Sequence, residues 1–245
     1  MSRTLHKWVV VLITLGAASI AAAGPGAQLT TFTILPQDVP KVVAAWDAYM
    51  ASSVGQQFKG RVTLRARVAD GSDPASHSIS YWFHSQAEYE AFTNAAADSP
   101  ARRTLLDAVV PLAPLVATSR SSIVRSWGDP ADTDIVWLAL ASEVTDVAAF
   151  NAALDKWLAS PMGKKSPGQG YLLSVVAGGR DSPTHVGLLG YASFAEMETF
   201  RDGLSADADY QAFQAALAKA SRRMGATLSR DVKSWGPATL ESFKP

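Results

Sequence analysis

The sequence HSISYWFHSQAE, residues 77–88, returns as HVGLLGYASFAE at residues 185–196, an offset of 108 positions. Both segments place a short run typical of a β-strand directly before the pattern Ser-x-x-Glu. In that pattern, called a capping box, the two side chains satisfy free backbone amides at the start of a helix. The segment therefore predicts a strand that leads directly into a helix, at the same place in two copies.

The same offset extends the repeat in both directions without a gap. Residues 28–128 match residues 136–236, and both copies end in Ser-Trp-Gly. A unit of this length is a small domain, since solenoid repeats have only ~20–50 residues. We therefore divide this part of the chain into repeat 1 (28–128), a polar linker (129–135), repeat 2 (136–236) and a loose tail (237–245).

Each repeat predicts the element order β-α-β-β-α-β, with the second helix in two pieces. Asp38 and the matching Asp146 are predicted to cap the first helix of their repeats. The order of elements is the ferredoxin-like plan, an antiparallel sheet of four strands with helices on one face. In repeat 1 the strands are predicted at 29–35, 61–69, 76–83 and 121–127.

Apolar residues stand on both sides of several predicted strands, as in residues 171–176 and 186–189. A sheet of that kind has both faces covered. Helices cover one face, and the other copy is the nearest cover for the second. We therefore predict an α+β fold in which two ferredoxin-like repeats form a barrel within one chain, a pseudo-dimer with the helices outside.

This pattern resembles the dimeric α/β-barrel superfamily, which includes antibiotic-biosynthesis-monooxygenase-like domains and haem-binding relatives. The resemblance covers nearly all of residues 28–236, as a tandem duplicate, and it is at the level of the fold. It implies an organic ligand or haem, held inside the barrel or between sheet and helices. For a cofactor-free monooxygenase it implies polar and aromatic cavity residues, here Tyr81, Trp82 and His84.

The first 23 residues have the features of an export signal. Arg3 and Lys7 precede an apolar run, and three alanines at 21–23 form a small-residue cleavage site before Gly24. A membrane anchor is the alternative, because the run approaches the ~18 residues that span a bilayer. Its alanine-rich end favours cleavage, so we expect a periplasmic or secreted protein with no stable membrane insertion.

Composition excludes several classes of function. The chain has no cysteine, which rules out disulfides and thiol chemistry, and its 22 Lys and Arg balance its 22 Asp and Glu. Nucleic-acid binding needs a basic surface, so we expect no nucleic-acid partner. The sequence also lacks a phosphate-binding loop, a dinucleotide fingerprint, a zinc-protease motif and a serine nucleophile elbow.

Histidines are the first candidates for catalysis. His77 and His185 match between the copies, and each follows an aspartate, Asp73 or Asp181, by four residues. A carboxylate can orient an imidazole that acts as a base, but each aspartate could instead cap a hairpin turn. One histidine and one aspartate per copy are too few for a metal site, so we predict none. His84 is a further candidate, present in repeat 1 only.

Candidates for ligand binding begin on the middle strands of repeat 1. Trp82 and His84 share one face of their strand with two serines, and Tyr81 lies on the other face. Arg65 and Arg67 point away from the apolar face of their strand, so they could line a basic wall inside the barrel. Alternatively, these side chains are solvated at a strand end or edge.

The last strand of each repeat supplies the remaining candidates. Trp127 and Trp235 close these strands, and Arg125 lies two residues before Trp127 on the same face. A cation beside an indole could receive an anionic or aromatic ligand. The alternative is a tryptophan that only packs against the end of the barrel.

Two hypotheses of function remain open at this stage. The first is an exported protein that binds a small apolar or aromatic ligand in the barrel, with a possible cofactor-independent oxygenase activity. The second is a non-catalytic interaction protein with a filled barrel, which a cavity below the ~300 Å³ of typical ligand sites would favour. A haem-binding protein is a third alternative; otherwise we expect no cofactor.

Overall fold

The computed structural model of the protein describes residues 24–71, 73–128 and 132–245, and the export signal predicted at 1–23 lies outside them. Both repeats have the predicted order of elements. Repeat 1 contains β1 Gly26–Phe32, α1 Val39–Ala51, β2 Arg61–Ala69, β3 His77–Phe83, α2 Gln86–Ala96, α3 Pro100–Val109 and β4 Leu115–Trp127. Repeat 2 contains β5 Val136–Val144, α4 Val147–Ala159, β6 Gly170–Ala177, β7 His185–Tyr191, α5 Phe194–Ser205, α6 Ala208–Ala220 and β8 Ser221–Trp235.

Both capping boxes form as predicted. The hydroxyl oxygens of Ser85 and Ser193 each accept a hydrogen bond from the amide three residues later, at 3.1 Å. Asp146 also caps its helix. The same prediction for Asp38 is wrong, because a short 3-10 helix precedes α1 and the carboxylate lies 2.9 Å from the ammonium group of Lys41.

Eight strands close one antiparallel barrel in the order β1-β3-β2-β8-β5-β7-β6-β4. Each repeat keeps the ferredoxin-like strand order, and the pairs β2–β8 and β4–β6 join the two sheets. The closure leaves no free sheet edge. The predicted barrel within one chain is therefore confirmed, and the helices cover its outside. None of the helices in the described residues is long and apolar enough to cross a membrane.

Strands β4 and β8 join the two sheets, and the end of each contacts the first helix of the other repeat at matching positions. Lys233 lies 2.8 Å from Asp47 of α1, and the Trp235 indole donates a hydrogen bond to the same carboxylate at 2.7 Å. The hydrogen bond from Lys233 lowers the pKa of Asp47. Arg125 makes the equivalent contact with Asp155 of α4. Each ion pair is partly exposed and contributes little stability. The two pairs nevertheless occupy matching positions in the two repeats, which shows that β4 and β8 meet the opposite repeat in the same way.

The C-terminal tail closes one end of the barrel, so the prediction of a loose tail is wrong. Leu240 and Phe243 are only 1% and 0% exposed. The Phe243 ring lies 5.7 Å from the ring of Trp82, and the Tyr171 hydroxyl donates a 2.7 Å hydrogen bond to the Leu240 carbonyl. Burial of these two apolar side chains holds the tail in place.

Replacing Phe243 with alanine removes the buried ring and leaves a cavity at the end of the barrel. We expect the free energy of unfolding, measured in urea, to fall by about 3–5 kcal/mol. The neighbouring Lys244→Ala is the control and should change it by less than ~0.5 kcal/mol, because this side chain is exposed. Equal effects of the two substitutions would contradict a structural role for the tail.

Candidate ligand-binding site

Aromatic rings fill the barrel beside the C-terminal tail. Trp82, Trp137 and Tyr171 point inward from three strands and are between 0% and 1% exposed. The rings of Trp82 and Tyr171 lie 4.9 Å apart, and the Trp82 ring lies 5.7 Å from that of the buried Phe243. This end of the barrel is therefore a packed core.

The arginines of β2 also lie inside the barrel, where acidic groups match their charges. Arg65 is buried; its Nε lies 2.7 Å from Asp231, and its Nη1 donates to Ser80 at 3.0 Å. The guanidinium lies 4.9 Å from the centre of the Trp137 ring. The side of β2 that faces the barrel interior is thus basic. The positive charge of Arg65 is balanced within the fold by the carboxylate of Asp231.

Arg67 sits nearer the other end of β2 and pairs with two aspartates of the adjoining turn. Its guanidinium nitrogens lie 2.8 Å from Asp70 and 2.8 Å from Asp73. Asp73 also accepts a hydrogen bond from the amide of Ala75. These contacts hold the hairpin turn between β2 and β3.

Among the candidate histidines of repeat 1, His84 contacts the C-terminal tail. Its Nδ1 lies 3.0 Å from the Glu88 carboxylate, and its Nε2 lies 3.2 Å from the Ser242 hydroxyl. The imidazole also stacks on Phe243 with 5.0 Å between ring centres. These contacts fasten the tail to the start of α2.

The matching histidines have hydroxyl partners from the preceding residue. His77 Nδ1 lies 2.9 Å from the Ser76 hydroxyl, and His185 Nδ1 lies 3.1 Å from that of Thr184. Asp181 is exposed. Burial lowers the pKa of both imidazoles, so both are neutral at pH 7. In the part of the chain that the structure describes, no cluster of acidic residues and histidines could hold a metal ion.

A cavity of about 390 Å³ lies between the helices and the sheet of repeat 2. Strands β5, β6 and β7 form its floor, and helices α4, α5 and α6 form its roof. Floor and roof are mainly apolar, and they include Leu138, Leu140, Leu172, Leu189, Phe150, Leu154, Trp157, Phe200, Leu204, Phe213 and Leu217. The cavity is partly open to solvent, which leaves Phe213 and Leu217 only half-buried.

Differences between the repeats explain why this space is hollow. In repeat 1, Tyr81 fills the equivalent region, with its ring 5.8 Å from Trp46 and 5.9 Å from Phe58. Smaller side chains occupy the positions that match these three rings in repeat 2, although Phe150 and Phe213 are larger than their counterparts Val42 and Leu105. Four positions that line the cavity lose volume: Trp46 to Leu154, Phe58 to Ser166, Ile79 to Gly187 and Tyr81 to Leu189.

Polar groups lie around the margin of the cavity. Ser142 and His185 line one end, with Arg223 beside them, and Arg201 of α5 is a further lining residue. Tyr191 also lines it, and burial raises the pKa of this phenol to about 12. The phenol is therefore protonated at neutral pH and can serve as a hydrogen-bond donor.

Two residues singled out from the sequence, Trp127 and His185, line the cavity. Tyr81 and Trp235 pack in the core of repeat 1 instead. Arg201 and Arg223 escaped the sequence analysis, which followed residues that match between the copies and polar residues present in repeat 1 only. They could have been found from charged residues of repeat 2 that have an uncharged residue at the matching position of repeat 1.

A second depression, of about 440 Å³, lies on the surface of repeat 1 between α1 and the end of β8. Asp47, Gln56, Lys59 and Trp235 are among its lining residues. It is more open to solvent than the cavity of repeat 2 and has far less apolar surface. We therefore take the more enclosed of the two, the cavity of repeat 2, as the candidate site.

Solved structures share this fold. A candidate monooxygenase from Lactobacillus acidophilus NCFM aligns with a TM-score of 0.59 and 13% identity, over 89% of this chain and 99% of the other. An anthrone oxidase-like protein aligns with a TM-score of 0.58 and 11% identity, over 87% and 93%. A variant of chlorite dismutase from Candidatus Nitrospira defluvii gives 0.51 and 11%, over 86% and 92%.

These similarities identify the fold: the chain shares the dimeric α/β-barrel fold of these structures. At such low identities the likeness concerns the fold alone. No protein-family model matches the sequence, and no curated protein matches it either.

Proposed function

We propose that this protein binds a small, largely apolar aromatic molecule between the helices and the sheet of repeat 2. The observation that carries the proposal is the cavity of about 390 Å³, present where repeat 2 has small residues and filled where repeat 1 has large ones. Its volume falls within the ~300–1,000 Å³ of small-molecule sites. Repeat 1 then completes the barrel as a packed partner.

The alternative of a non-catalytic protein with a filled core agrees with only one part of the molecule. The barrel beside the tail is filled by Trp82, Trp137 and Tyr171. An unused half-open cavity, however, would leave Phe213 and Leu217 partly exposed for no gain, since burying such side chains stabilises a fold. The volume also exceeds the ~300 Å³ below which a structural role is the better explanation.

Filling the cavity provides the test of ligand binding. At Gly187 an added Cβ would meet nothing within 4 Å, and the matching residue in repeat 1 is Ile79. We expect Gly187→Ile to raise the free energy of unfolding by about 1–2 kcal/mol, from strand propensity and buried methylene groups. It should also weaken binding of the uncharged fluorescent aromatic N-phenyl-1-naphthylamine at least about tenfold.

Gly225→Ile is the matched control, because an added Cβ also meets open space there and Gly225 is not part of the cavity lining. The control should bind the dye like the wild type. Absence of dye binding to the wild-type protein, or equal binding by Gly187→Ile, would refute the proposed site.

A more specific proposal is that the protein catalyses an oxygenase reaction on the molecule bound in this cavity. Fold relatives include an anthrone oxidase-like protein, and His185 places a neutral imidazole at the cavity margin. A neutral imidazole can take a proton from an acidic C–H or phenolic O–H group. For an anthrone, the CH₂ group becomes a carbonyl with one oxygen atom of O₂, and the other leaves as water with the two hydrogens. No external reductant is needed.

His185→Gln should therefore lower kcat for anthrone oxidation about 10²–10⁴-fold, while dye affinity stays within about twofold. Oxygen uptake, corrected for the reaction without protein, measures the rate. Because burial lowers the pKa of His185, the wild-type rate should rise with pH and reach half of its maximum below the ordinary histidine value of 6.5. A wild-type protein that accelerates no oxidation would leave binding as the function.

Haem does not fit this site well. His185 is the one histidine in the cavity lining, and its ring lies 6.0 Å from that of Phe150, which crowds one side of the imidazole. An axial histidine also commonly has a carboxylate or carbonyl partner, whereas Nδ1 of His185 meets a hydroxyl. The volume lies near the lower limit for ligand sites, which suits roughly two or three linked rings better than a porphyrin.

Export to the periplasm or the exterior remains a proposal based on residues 1–23. In support, the first described strand begins at Gly26, and Ala27 is buried inside the barrel. Cleavage after Ala23 would thus leave every described strand whole. Intact mass measurement of the protein from the extracytoplasmic fraction should find Gly24 at its N-terminus; an uncleaved chain in the membrane fraction would contradict the proposal.

A further inference from the structure

The cavity of repeat 2 has positive charges in its lining and no negative ones. Arg201 and Arg223 are its lining arginines, and no aspartate or glutamate is among the lining residues. Within the described residues, neither arginine has a carboxylate within 4.0 Å, whereas the adjacent Arg222 lies 2.7 Å from Glu143. At matching positions repeat 1 has Thr93 and Leu115, so both charges belong to the hollow repeat only.

Strand register brings Arg223 together with two other polar groups. Ser142 of β5 pairs with Arg223 of β8 on one side and with His185 of β7 on the other. Directly paired residues have their Cβ atoms about 4.5–5.5 Å apart. Since all three side chains line the cavity, they form a row of hydrogen-bonding groups across one end of it.

An arginine at the margin of an apolar cavity favours an anion there. Arg223 is exposed, so water screens part of its charge, but its guanidinium offers several donors in a plane that matches a carboxylate or sulfonate group. Ser142 can donate a further hydrogen bond to the same group, and the remaining ring edge of His185 lies beside it. The rest of the cavity offers aromatic and aliphatic surface.

We infer that the natural ligand of this cavity is an aromatic anion, with its rings between helices and sheet and its acidic group at Arg223 and Ser142. This inference rests on the proposed binding function and adds the charge of the ligand and its orientation. A neutral ligand of the same shape makes no ion pair with Arg223 and should bind more weakly.

A pair of dyes that differ by one sulfonate group tests the inference. The anionic 1-anilinonaphthalene-8-sulfonate and the neutral N-phenyl-1-naphthylamine have the same ring system, and both fluoresce more strongly in apolar surroundings. We expect the wild-type protein to bind the anion at least about tenfold more tightly. In Arg223→Gln this preference should fall to about twofold or less, with neutral-dye affinity unchanged.

Arg222→Gln is the matched control, since it removes the neighbouring positive charge outside the cavity lining. It should keep the preference for the anion, whereas Gly187→Ile should weaken binding of both dyes at least about tenfold. Melting temperatures of the variants establish that each is folded.

Failure of this inference and failure of the proposed function give different experimental results. If the neutral dye binds as tightly as the anion, the inference fails while the binding function stands. If neither dye binds, the proposed function fails. Loss of the preference in Arg201→Gln or Arg222→Gln instead of Arg223→Gln would overturn the placement of the acidic group, and anion binding that survives in Gly187→Ile would show a surface site.

Discussion

Backbone pairing between the two repeats is the constraint on which the rest of the structure depends. Strands β4 and β8 each hydrogen-bond to the first strand of their own repeat and to the second strand of the other. Because both joints must form together, neither sheet keeps a free edge and the inner faces of both become barrel interior. The tail then covers one end of that interior.

The two repeats have the same elements but differ in the space between their sheets and helices. Repeat 1 packs aromatic rings between sheet and helices, around Trp46, Phe58 and Tyr81. Repeat 2 keeps the same strands and helices with smaller residues, and the space remains open. In the proposed function, repeat 2 binds the ligand and repeat 1 supports it within one chain.

Much of the fold could be predicted from the repeat, whereas little of the site could. The offset of 108, the two capping boxes and the alternation of β2 were sufficient for element order and barrel. The sequence left open whether Arg65 lines the interior or is solvated at a strand edge, and it could not show that Asp231 would lie against it. Such a partnership depends on the β2–β8 joint between residues far apart in the chain.

By itself, the sequence determined which residues share a strand face, where helices begin and that two equal units follow each other, because these are local properties of spacing and capping. Only the tertiary structure decided that the tail closes one end of the barrel and that the cavity lies in repeat 2. It also decided that Ser142, His185 and Arg223 meet at one end of that cavity. Packing and strand register between distant segments set those outcomes, and neither is encoded in any single stretch.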